Sequence, residues 1–117
     1  LQDHYHTLIT LLLPEGILDY FELKNVSKGS EGLIIYLEEK NIVPPEFAKE
    51  QVESKGFLPE ISIQDFPIRG QKVALNVKRR RWEVKSTGTI ITRDWNIVQK
   101  GARMTTEFAT FLKGIFG

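Results

Sequence analysis

The chain has 117 residues, 41% hydrophobic and 26% charged, with 16 Lys+Arg against 15 Asp+Glu. This is the balance of one folded domain that buries roughly two-thirds of its unfolded surface, and the absence of cysteine excludes a disulfide scaffold and a thiolate zinc site. No apolar stretch approaches the roughly 20 residues of a membrane-spanning helix and no signal-peptide pattern opens the sequence, so the expectation is a cytoplasmic, nucleoid-associated protein without a membrane partner.

Residues 1–68 hold 12 acids and 5 bases, whereas residues 69–117 hold 3 acids and 11 bases. A chain polarised in this way either presents its basic end to an anion or lays its two halves against each other.

From Tyr5 to Phe21, apolar residues recur at three- and four-residue spacings, which predicts an amphipathic helix re-started at Pro14. Leu23–Val26 and Gly32–Leu37 flank a polar, glycine-containing loop and read as a hairpin. Pro44-Pro45 marks a surface excursion, and Phe47–Val52 has room for one helical turn at most. Ile61 and Ile63 alternate with polar residues, Pro67-Ile68-Arg69-Gly70 turns the chain, and Val73, Leu75 and Val77 alternate again, giving a second hairpin. The alternation breaks at Lys78–Arg81 and resumes on the opposite parity at Trp82 and Val84, so the strand either bulges or exchanges its covered face. Ser86-Thr87-Gly88 is a turn into a returning strand over Thr89–Thr92, and Thr105 caps a helix carrying Phe108, Phe111, Leu112 and Ile115.

The most informative stretch is Lys78-Arg79-Arg80-Arg81-Trp82, with Lys72, Lys85 and Arg93 nearby. Clustered like charges repel, and an anion that neutralises them relieves the repulsion. Phosphate suits clustered arginines because the guanidinium fork grips two oxygens and releases condensed counterions. The competing reading is a solvated strand face paired with the acidic first half. Alternation places Lys78 and Arg80 on one face and Arg79 and Arg81 on the other, so this strand is expected at a sheet edge or as a protruding ribbon. Trp82 and Trp95 flank the run; either could stack on a base, but the area a Trp buries favours the core.

Asp3, His4 and His6 cluster near the start, yet helical positions 4 and 6 point about 200° apart, and helical metal pairs prefer four-residue spacing. No other histidine, phosphate-binding glycine loop or carboxylate dyad is present, so no catalytic residue, cofactor or metal is assigned. Asp65, Glu83 and Asp94 read as ion-pair partners of the basic stretch.

The block Ile63-Gln64-Asp65-Phe66-Pro67-Ile68-Arg69-Gly70, Val73-x-Leu75-x-Val77, Arg79-Arg80-Arg81-Trp82, Gly88, Arg93-Asp94-Trp95 and Gly101-Ala102-Arg103-Met104-Thr105 resembles the N-terminal region of bacterial insertion-sequence transposases. Leu11–Phe21 and Leu37–Asn41 extend the resemblance to a subgroup that encodes this region as a short separate reading frame. The resemblance implies a zinc-ribbon-like DNA-binding module acting with a DDE catalytic polypeptide. Where zinc-binding relatives carry Cys-x-x-Cys-Gly, this chain has Val84-Lys85-Ser86-Thr87-Gly88, so its knuckle must be held by packing and turn geometry.

The expected fold is α+β: a helical segment plus first hairpin over 1–52, a basic, mostly antiparallel and metal-free β ribbon over 53–104, and a C-terminal helix over 105–117. The expected function is that of a non-catalytic DNA-binding accessory region of a transposase, contacting double-stranded DNA at the element ends through Lys72, Lys78, Arg79, Arg80, Arg81, Lys85 and Arg93. Its expected protein partner is the separately encoded DDE polypeptide, and the helix bearing Phe108, Phe111 and Leu112 reads equally as its docking face or as core. The alternative is a protein-interaction module whose basic face docks an acidic partner or a second copy, as in a homodimer.

Overall fold

A computed structural model describes residues 3–95 and 106–116. Helix α1 spans His4–Leu12 and begins where the Asp3 carboxylate accepts from the amides of Tyr5 (3.0 Å) and His6 (3.2 Å), satisfying two donors that the first turn leaves free. Pro14 stops it, and a single 3₁₀ turn over Ile17–Asp19 delivers the chain into the first strand. The strands are β1 Phe21–Lys28, β2 Gly32–Glu39, β3 Val52–Phe57, β4 Ile61–Ile68, β5 Gln71–Lys78, β6 Arg80–Val84 and β7 Thr89–Thr92, followed by helix α2 over Thr106–Phe116. This is the α+β architecture expected from the sequence, with both expected hairpins in place. Among the described residues, no helix is long and apolar enough to cross a membrane.

The strands form two sheets, a four-stranded one ordered β1-β2-β5-β4 and a three-stranded one ordered β3-β6-β7. Two features depart from expectation. The central pairing of the larger sheet, β2 with β5, is parallel, and it joins hairpins far apart in sequence. Strand β3 lies where no strand was expected; the helical turn placed after Pro44-Pro45 is confined to Pro45–Phe47. The parallel pairing needs glycine at position 32, because a Cβ there would stand 2.2 Å from the Lys72 carbonyl oxygen, inside any permissible contact. The β4–β5 turn is equally specific: Arg69 and Gly70 both have positive φ, 54° and 76°, the signature of the two-residue turn whose twist matches its strands.

Alternation along β2 and β5 puts Ile35, Leu37, Val73, Leu75 and Val77 on one face, covered by Leu13, Ile17, Phe21, Trp95 and the Phe111, Leu112 and Ile115 face of α2. Trp95 stacks on Phe21 at 5.4 Å between centroids, and Phe111 meets Phe21 edge-on at 5.7 Å. Burying such side chains contributes about 1.5–3 kcal/mol each. Of the two readings of this helix face, core holds for Phe111 and Leu112, 3% and 0% exposed, while the Phe108 side chain lies outside the described residues. The capping position Thr105 lies outside the described residues.

The parity break at Lys78–Arg81 is where the chain leaves one sheet and enters the other. Up to Val77 the odd positions are buried; from Arg80 onward the even positions, Trp82 and Val84, are buried in the second sheet. The expectation of an edge strand or protruding ribbon does not hold, because β6 is the middle strand, flanked by β3 and β7.

The seam between the sheets is closed by the Glu39 carboxylate, 1% exposed at the end of β2. One oxygen accepts from the Arg80 amide (2.9 Å), the other from Arg93 Nε (2.9 Å), and the Glu39 carbonyl accepts from Arg80 Nε (3.0 Å). Burial pushes this carboxyl above its ordinary value, and the Arg80 amide and Arg93 guanidinium pull it back. Replacing Arg93 with Met removes part of that pull, so the folded carboxyl holds its proton to still higher pH. A carboxyl raised in the folded state contributes its stability fully below the unfolded value, about pH 4.3, and loses it as pH rises through the folded value. Urea unfolding should therefore show the deficit of Arg93→Met growing from acid toward neutral pH, where it reaches about 3–5 kcal/mol.

Candidate nucleic-acid interface

The seven basic residues singled out in the sequence occupy quite different environments. Arg93 is 7% exposed, and besides Glu39 it donates to the Ile42 carbonyl and lies over the rings of Tyr20, Trp82 and Trp95. Arg80 is held by Glu39, by Ser54 Oγ and by the Phe57 ring 4.7 Å from its guanidinium carbon, with Glu38 at 3.8 Å. Lys85 lies between Glu53 (3.1 Å) and Glu83 (3.2 Å), and these carboxylates, Glu53 first, raise its ammonium above the ordinary value. Arg80 and Arg93 are thus engaged within the fold, whereas Lys85 is exposed and pairs at the surface; a cation already paired has less to offer a phosphate. Lys72 is exposed, but it pairs with Gly32 at the far end of β5, roughly 20 Å along the strand from Lys78.

Lys78, Arg79 and Arg81 remain. Lys78 and Arg80 both lie over the Phe57 ring, Lys78 Nζ at 5.9 Å, so the expected sharing of one face by these two is observed. Arg81 alternates with Arg80 and Trp82 along β6 and so lies on the opposite side, and Arg79 is the single residue between β5 and β6. Arg81 faces outward beside Thr92 of β7 and donates from Nη2 to the Lys55 carbonyl (3.2 Å). Neither Arg79 nor Arg81 has an acidic partner among the described residues, and the Nε of each is shielded from solvent with no hydrogen-bond partner.

Lys55 completes the face and was missed in the sequence, which carried no strand there. It sits in the irregular stretch of β3 where the pairing slips between Ser54 and Phe57, and it is exposed next to Arg81. The signal was Gly56, whose φ of 80° marks such a break.

The tryptophans are core residues. Trp82 is 0% exposed with its indole N–H on Asn41 Oδ1 (2.9 Å), and Trp95 is 3% exposed. At the opposite end of the chain His4 and His6 are exposed while Asp3 is occupied as a helix cap, and no cluster of three or more His, Cys, Asp or Glu that could hold a metal occurs among the described residues. Val84 is buried, and Thr87 is engaged in the turn, where the Gly88 amide donates to the Val84 carbonyl (2.7 Å) and the Thr87 and Thr89 hydroxyls are 2.8 Å apart.

No protein-family model, curated protein or solved structure matches the chain.

Hydrogen bonds and side-chain packing thus close the Val84–Gly88 turn. Dialysis against a strong chelator should leave the melting temperature unchanged, and metal analysis of the purified chain should find less than stoichiometric zinc.

Proposed function

We propose that this chain is a non-catalytic module that binds double-stranded DNA through the outer face of its small sheet. The observation that carries the reading is the pair Arg79 and Arg81, without acidic partners among the described residues, while Arg80 and Arg93 are engaged within the fold and Lys85 pairs with surface carboxylates. A guanidinium without an anion can grip two phosphate oxygens at once, and the exposed Lys55, whose carbonyl Arg81 contacts, adds charge beside it. Because β6 is a middle strand, contact is to the phosphate backbone rather than by a ribbon inserted in a groove. Backbone contacts fix position and contribute affinity without reading bases.

The resemblance to insertion-sequence transposases supplies the context of this proposal: DNA at the ends of a mobile element, a separately encoded DDE polypeptide as catalytic partner, and a location with the nucleoid. The purified chain alone is then expected to cleave and join no DNA strand; metal-dependent strand transfer by it would refute the reading.

Substituting Arg79 and Arg81 together with Ala should weaken duplex binding and reduce the slope of log affinity against log salt by about 0.9 for each phosphate that is no longer neutralised. Lys72→Ala should leave that slope nearly unchanged, and unfolding curves should show all these variants folded. Equal slopes for the two sets, or binding that barely changes between low and physiological salt, would remove the Arg79/Arg81 face as the DNA-binding surface.

A further inference from the structure

Helix α1 is amphipathic as the sequence predicts, but its apolar face does not point into the core. On a helical projection Tyr5, Leu12, Leu8 and Leu11 make one stripe, with His4 between Leu8 and Leu11, Ile9 at its margin and His6, Thr7 and Thr10 opposite. Only Ile9 packs against the core. Tyr5 is 81% exposed, Leu8 54%, Leu11 77% and Leu12 45%, and Phe66, on the edge strand β4, is 75% exposed. A groove between the end of α1 and residues 65–69 joins Leu11 and Leu12 to Phe66, and Tyr5 and Leu8 continue the helix stripe beyond it. At ordinary side-chain areas their exposed parts amount to roughly 600 Å², the upper end of what a monomer tolerates.

From this we infer that the α1 stripe and Phe66 form a two-fold interface with a second copy of the chain. Three observations favour a second copy as the occupant. Covering the stripe on both copies buries about 1,200 Å² in total, the lower limit for a specific, stable interface. The helix from His4 to Leu12 contains no acidic or basic residue other than histidine, so identical faces can meet without like-charge repulsion, and it offers a charged foreign partner nothing to pair with. The two ends permit an antiparallel arrangement: Asp3 caps the N-terminus, and Arg69 and Asp65 both line the groove at the C-terminus, so that end carries one charge of each sign. Antiparallel packing of two such helices, each about 14 Å long, opposes the helix dipoles. It also gives a nine-residue helix, too short to persist on its own in water, the packed face it lacks.

Sedimentation velocity on the full chain, without nucleic acid, tests this. A monomer–dimer equilibrium with a micromolar midpoint is expected below roughly 200 μM. Leu8→Asp should weaken dimerisation by about 30-fold or more. Phe66→Ser, which leaves the helix untouched, should weaken it by about tenfold while near-ultraviolet circular dichroism stays unchanged. Because the chain has no cysteine of its own, a single introduced thiol reports the geometry: on mild oxidation Leu8→Cys, near the two-fold axis, should cross-link to itself, whereas Thr10→Cys on the polar side should not. A chain that stays monomeric to about 200 μM overturns the inference, whatever other protein it binds. So does a dimer that survives both Leu8→Asp and Phe66→Ser, or one that cross-links through Thr10→Cys instead of Leu8→Cys.

Discussion

The Glu39 carboxylate, 1% exposed, has β2 behind it, the first residue of β6 on one side and the segment following β7 on the other. It takes one hydrogen bond from the Arg80 backbone and one from the Arg93 side chain, so a single residue of the larger sheet fixes both ends of the β6–β7 hairpin, two of the three strands of the smaller one. Burying such a group costs several kcal/mol, and an apolar contact of the same volume would hold the sheets together at lower cost. The ionic arrangement adds direction: only one approach of the second sheet presents an amide and a guanidinium to the two oxygens together. Trp82 and Asn41 repeat the theme, since the indole N–H finds the Asn41 side chain just beyond β2.

The same seam explains much of the charge polarity of the sequence. Glu39 meets Arg93, Glu38 meets Arg80 and Glu53 meets Lys85, each an acid of the first half against a base of the second. The halves are therefore laid against each other, and the basic surplus that faces solvent is smaller than the composition implies. The four-residue run Lys78–Arg81 is divided by strand parity. Arg80, on the inward side with Trp82 and Val84, is consumed by the seam, and Arg79 and Arg81 are left without anions among the described residues. Counting arginines could not separate them; knowing which residues Glu39 engages does.

Period-two alternation identified both hairpins and the exchange of covered face at Lys78–Arg81, because one face of each strand must be apolar whatever the partner. Glu39 continues the parity of Ile35 and Leu37 and so lies inside, where it demands a cation, but the expected strand ended at Leu37 and missed it. Parity does not name neighbours. The parallel β2–β5 pairing joins residues 40 apart, as in Gly32 with Lys72, and nothing local to either strand encodes that choice. Strand β3 was invisible for a different reason: its inward residue Ser54 is polar because it lies under the Arg80 guanidinium, so a hydrogen bond replaces the apolar signal expected there. Amphipathicity located α1 correctly, but not what it faces, since a stripe awaiting a second chain has the same period as one facing a core.

The two surfaces left unsatisfied lie at opposite ends of β5. Arg69 and Phe66 flank the turn that precedes this strand, whereas Arg79 follows its last residue, about 25 Å away at the rise of an extended strand. Pairing through α1 would thus leave both arginine faces open and carry them to the far ends of a two-fold particle. On the proposed reading each face alone would make few phosphate contacts and read no bases, so its affinity for DNA would be modest and general. Two faces on one rigid body convert the second contact into an intramolecular event, which raises affinity without any new contact only for duplexes that can reach both. Selectivity for DNA would then come from the spacing and curvature of the duplex across the dimer. A basic patch of two arginines can therefore serve a sequence-limited task provided the apolar stripe at the other end of the molecule is also in use.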